Sequence, residues 1–107
     1  MRRLSGCVAL LLWLPAAAMA QDAQELKRGE TLLTRNCAGC HAVGKTGAST
    51  HSTAPAFRTL GKKYKIETLE EALAEGLVSG HPDMPEFRFE APDIGAIIAY
   101  LKSIQQP

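Results

Sequence analysis

Aromatic residues make up only 6% of this 107-residue chain, and its one tryptophan, Trp13, falls within the first twenty positions. Cysteine is equally scarce, with Cys7, Cys37 and Cys40 in all, so a framework of several disulfides is excluded. The main apolar run, Val8 to Leu14, is well short of the roughly 20 residues that span a bilayer, and no stable membrane insertion is expected. Charge of neither sign dominates, with 12 Lys and Arg against 11 Asp and Glu. The basic stripe that a nucleic-acid partner would require is missing. No strand-like alternation, internal repeat or linker interrupts the chain, which predicts a single all-α domain.

What is present begins with "MRRLSGCVALLLWLPAAAMAQ". Arg2 and Arg3, the apolar run through Leu14 and the small residues ending at Ala18-Met19-Ala20 follow the order of a secretory signal. Cleavage is expected after Ala20, dividing the chain into a signal, 1–20, and a domain, 21–107. A periplasmic, soluble protein follows from that. Leu4-Ser5-Gly6-Cys7 also has the look of a lipoprotein box, but only three residues precede it, too few for an apolar region. Cleavage removes Cys7, Trp13, Met1 and Met19, leaving Cys37, Cys40 and Met84 without competitors of their own kind. Removal of Arg2 and Arg3 leaves the domain slightly acidic. At this size a hydrophobic core alone is marginal and some staple is usual. A disulfide between Cys37 and Cys40 would close too short a loop to serve.

A helix is predicted from Asp22, which can cap with Glu25, and Leu26, Gly29, Leu33 and Cys37 recur at helical spacing. Its C-terminal end therefore delivers Cys37. Residues 42–56, "AVGKTGASTHSTAPA", lack periodicity and read as a loop that wraps something. A short helical turn is expected around Ala56 to Leu60. Thr68 and Glu71 fit a capping box ahead of a helix carrying Leu69, Leu73 and Leu77, which stops at Gly76 or Gly80. Pro82 and Pro85 hold "GHPDMPEF" extended, since each also restricts the residue before it, His81 and Met84. The last helix is predicted to begin with Pro92 at its first position and Asp93 in its first turn, with Ala91 at the cap. Ile94, Ile97, Ile98, Leu101 and Ile104 form one apolar stripe beside Tyr100.

The stretch "CAGCH", Cys37 to His41, carries the chemistry. Half of a zinc site would need a second close pair of Cys or His, whereas His51 and His81 lie far apart. A redox-active dithiol belongs at a helix start in a βαβ setting, whereas this pair falls at a helix end. Covalent haem explains all three residues at once: the thiols of Cys37 and Cys40 add to two vinyl groups of one porphyrin, and His41 brings an imidazole nitrogen to the iron. For the second axial ligand, Met84 stands between rigid flanks, which suits a thioether that binds iron weakly. The alternatives are Met84 as a gap-filler in the core and His81 as the ligand. His51, in its Gly/Ser/Thr-rich loop, reads as a surface residue.

These residues resemble the class I c-type cytochromes, in particular a small bacterial monohaem one. The likeness rests on Gly29 and Leu33 ahead of CAGCH, Pro55 in the following loop, "MPEF" with Met84, and "IIAYLKS" in the last helix. It implies a cytochrome c-like fold, three to four helices wrapped around one haem c. It implies thioether bonds from Cys37 and Cys40, with His41 and Met84 as the iron ligands. The Pro55 carbonyl would meet the other nitrogen of His41, and Gly29 would let the first helix cross closely against Tyr100 and Leu101. Ala54 stands where many members have glycine, and with no tryptophan in the domain a haem propionate would turn to Arg58 or Tyr64.

Iron held by His41 and Met84 leaves no open coordination position, so the expected function is one-electron transfer between redox proteins, by a monomer, rather than catalysis. Donors and acceptors would be an oxidase, reductase or dehydrogenase. One alternative is a dedicated haem subunit of a periplasmic dehydrogenase or reductase. Another is a ligand-binding or peroxidatic haem protein in which Met84 does not coordinate. Lys62, Lys63 and Lys65 adjoin Glu67, Glu70, Glu71 and Glu75 as patches of opposite sign, either a solvated face or a steering surface for an acidic partner.

Overall fold

The computed structural model describes residues 16–76 and 83–107, the side chain of Gln21 excepted. Among the described residues three α-helices occur in order: α1, Ala16–Cys37; α2, Leu69–Glu75; and α3, Ala91–Ile104. Two short 3-10 helices, Phe57–Lys62 and Ile66–Thr68, lead into α2. The described residues contain no strand, and the architecture is all-α.

The core lies where α1 crosses α3. The apolar stripe of α3 is buried along its length: Ile94, Ile97, Ile98, Tyr100, Leu101 and Ile104, with Ile97 fully enclosed. Leu33 of α1, Phe57, Ile66 of the second 3-10 helix and Leu73 of α2 complete it. Gly29 sets the approach of the two long helices, since a Cβ there would lie 2.1 Å from the Ala96 carbonyl oxygen and 2.8 Å from the Tyr100 Cβ. The nearest atoms belong to the expected Tyr100 and to Ala96, one turn before it on α3. Arg28 of α1 pairs with Asp93 in the first turn of α3, adding a favourable anion there.

Helix starts differ from the sequence expectation. In the uncleaved chain α1 runs unbroken from Ala16 through "AAAMA", alanine being the best helix former, so Asp22 is interior there. Most of the expected signal, residues 1–15, lies outside the described residues. Thr68 is already helical (φ −68°, ψ −13°) and makes no side-chain cap. Its hydroxyl instead donates to the Lys65 carbonyl at 2.6 Å, closing the preceding 3-10 turn. At α3 the extended cap residue is Glu90, which leaves Ala91 and Pro92 as the first helical residues.

Several contacts bring the segments between helices onto this core. Gly76 ends α2 at φ +112°, a conformation that favours glycine. The Phe89 N–H donates to the Leu73 carbonyl at 2.9 Å, drawing the chain that follows Met84 back against α2. Leu77, Gly80 and His81 lie outside the described residues. The Tyr100 hydroxyl donates to the Val43 carbonyl at 2.7 Å, fastening the loop after CAGCH to α3. Gln105 grips the first 3-10 helix from the end of α3, accepting from Gly61 N–H at 2.7 Å and donating to the Phe57 carbonyl at 2.8 Å.

Candidate cofactor site

α1 stops at Cys37, and the next turn folds over it: the N–H groups of Cys40 and His41 both donate to the Cys37 carbonyl, at 3.2 and 2.9 Å. Both thiols are free and half-buried. Cys37 packs against the core, and burial pushes its thiol up to about 11, so at neutral pH it is a protonated, uncharged sulfur.

His41 is aimed by two neighbours. Its Nδ1 lies 2.7 Å from the Pro55 carbonyl oxygen, 14 residues on. A carbonyl only accepts, so Nδ1 carries the proton and the neutral ring keeps its lone pair on Nε2. The Phe57 ring packs beside the imidazole, centroids 4.6 Å apart and tilted by 30°. The loop between them is tied to the motif at several points. Thr50 Oγ1 donates to the Gly39 carbonyl at 2.6 Å, Ala42 N–H to Ser49 Oγ at 3.0 Å, and Phe57 N–H to the Ala42 carbonyl at 3.0 Å.

Met84 is half-buried in the non-helical segment 83–90. The two residues considered for a propionate part company. Tyr64 is 53% exposed among Lys62, Lys63 and Lys65, which all face solvent. Arg58 Nη1 is buried and has no hydrogen-bond partner. A guanidinium nitrogen in that condition calls for an anion. His51 departs from the surface reading: it is half-buried, and its Nε2 lies 3.1 Å from Asp83 Oδ2. That partner is 32 residues away, and no local pattern in the sequence signals the pairing.

The residues present suit a haem: the Cys37 and Cys40 thiols, an imidazole whose Nδ1 is taken up by the Pro55 carbonyl, the Met84 thioether, and a buried Arg58 nitrogen wanting a carboxylate. Among the described residues no group of three or more His, Cys, Asp or Glu side chains could hold a bare metal ion, so the zinc alternative finds no ligand set there. No helix among them is long and apolar enough to cross a membrane.

The Cytochrome c family model matches residues 26–105. Cytochrome c-552 of Bradyrhizobium diazoefficiens is 29% identical over 98 residues, covering 92% of each chain. Cytochrome c6 of a Picosynechococcus species is 36% identical over 90 residues, 78% of this chain and 74% of that protein. Cytochrome c oxidase subunit 2 of Alkalihalophilus pseudofirmus is 35% identical over 85 residues, where the match takes in 65% of this chain but only 22% of the subunit. No solved structure matches significantly.

Proposed function

Because the chain belongs to the cytochrome c family and is an electron carrier with haem c, we propose that it serves in the periplasm, cleaved after Ala20, as a monomeric His/Met-ligated shuttle between redox proteins. The haem supplies reversible one-electron chemistry at its iron. The chain's residues hold it and set the conditions for transfer. Cys37 and Cys40 anchor one haem through thioether bonds, which prevents its loss outside the cytoplasm. His41 would hold the iron through Nε2, with Pro55 fixing the tautomer and the ring orientation. Met84 would supply a thioether to the iron, which would favour outer-sphere transfer over catalysis and a higher potential than two imidazoles would give. Arg58 offsets the charge of a propionate.

The observation that carries this reading is the 2.7 Å contact between His41 Nδ1 and Pro55, which leaves the lone pair on the nitrogen suited to a metal beside two anchoring thiols. The oxidised holoprotein is expected to show the red-edge methionine-to-iron charge-transfer band and to lose it in Met84→Ala. A band that survives the substitution gives another origin to the signal; a wild type without it, with rapid CO binding when reduced, points to an open-site haem protein.

The match to a segment of an oxidase subunit favours a second reading, in which an oxidase is the acceptor or the chain is a dedicated haem subunit. Copurification with a larger redox protein, instead of elution as a monomer, would support the subunit arrangement.

A further inference from the structure

His51 joins the two segments that flank the site. Its N–H donates to the Cys40 carbonyl at 3.2 Å, and its own carbonyl accepts from Ala54 N–H at 3.2 Å, so its main chain is fixed to the CAGCH turn. Its side chain leads elsewhere. The Thr53 N–H donates to Nδ1 at 3.2 Å, with Thr53 Oγ1 3.0 Å from the same atom. Nδ1 is thereby the accepting nitrogen and the proton of the neutral ring resides on Nε2. That Nε2–H donates to Asp83 Oδ2 at 3.1 Å, on the residue immediately before Met84.

We propose that His51 and Asp83 form a clasp that holds the Met84 segment against the CAGCH turn, making His51 a positioning residue for the distal ligand. The proposal rests on the reading of Met84 as that ligand. Segment 83–90 has no helix of its own; the Phe89 contact with Leu73 restrains its far end, and the clasp restrains the end that carries Met84. Asp83 is 66% exposed at its side chain, so water competes for the bond and its contribution is modest. Its effect therefore belongs in how readily the methionine gives way, more than in global stability.

Imidazole, which competes with Met84 for ferric iron, is the probe. In His51→Leu and in Asp83→Ala the apparent Kd for imidazole is expected to fall about three- to tenfold, what one ordinary hydrogen bond does to an equilibrium. The double variant should fall no further than either single one. Asp83→Asn keeps an accepting oxygen and should stay near wild type, which loss of general stability would not reproduce. If His51→Leu does not fold, the exposed Asp83→Ala carries the test. Single variants that bind imidazole as wild type does, with the charge-transfer band present, overturn the clasp and leave the ligation intact. A wild type without that band overturns both.

Discussion

Gly29 shows how much one missing methyl group decides. Alanine is the better helix former by about 1 kcal/mol, so propensity alone says Gly29→Ala stabilises α1. Packing says the reverse: the new Cβ would stand 2.1 Å from the Ala96 carbonyl oxygen and 2.7 Å from its carbon. Those are backbone atoms of a helix and cannot rotate aside, so α1 and α3 must separate. Overpacking of this kind costs about 1–3 kcal/mol or more, enough to outweigh the propensity gain. A lower urea midpoint for Gly29→Ala than for wild type is the expected result, and an unchanged or higher one would place the helices further apart than described. The sequence marked Gly29 through its helical spacing with Leu26 and Leu33 and its likeness to a known crossing. It named Tyr100 but not Ala96, whose backbone comes nearest, because which turn meets the glycine depends on where both helices begin.

Helix existence was legible from the period of apolar residues, whereas helix beginnings were not. The stripe from Ile94 to Ile104 is one face of a 3.6-residue repeat and is the face buried in α3. Asp22 and Thr68 are expected caps on local chemistry and Ala91 by its place before Pro92, but in the full chain α1 and α3 begin earlier and Thr68 makes no side-chain cap. Alanine carried α1 upstream of Asp22, a 3-10 turn took the Thr68 hydroxyl, and an extended Glu90 moved the start of α3. The tie between α3 and the second 3-10 helix was equally hidden. Lys102 Nζ meets Glu67 Oε1 at 2.8 Å. The hydrogen bond to Lys102 is the main cause holding Glu67 below the usual 4.5, and the same bond raises Lys102 above 10.5. A carboxyl depressed in the folded state contributes stability above its unfolded value and loses it as pH falls through the folded one; the raised amine loses its share as pH climbs through its own. Both side chains are exposed, so the contribution is small and salt-screened. Glu67→Gln is therefore expected to have a lower urea midpoint than wild type at neutral pH and low salt. The gap should close in acid well below 4.5 and in high salt; a gap that persists in acid would assign the loss to something other than the ion pair.

At the scale of the whole molecule, the buried residues belong to the helices and 3-10 turns, and the two connecting segments contribute none. No side chain from residue 38 to 56, or from 83 to 90, is buried by the protein's own atoms. Those segments are positioned by hydrogen bonds to the motif, to α2 and to α3, several of them open to solvent. The Gly- and Ser-rich composition of 42–56 marks the stretch as a loop but does not say which atoms hold it, because its contacts with Cys40, Asp83 and Tyr100 join residues that are distant in sequence. Stability should accordingly divide into two parts: a helical framework resting on Leu33, Ile97 and Leu101, and loops that depend on the haem for an apolar surface to cover. Hydrogen exchange on wild type and on Cys37→Ala/Cys40→Ala, which cannot be anchored covalently, separates them. The amides of His51 and Ala54 are expected to lose protection in the double variant, while those at the centre of α3, around Ile97 and Ile98, keep most of theirs. Equal loss in both places would mean that the helices need the cofactor as much as the loops do. Full protection of His51 would mean that the loop's own hydrogen bonds suffice, and the thioether anchors would then serve to retain the haem without organising the chain around it.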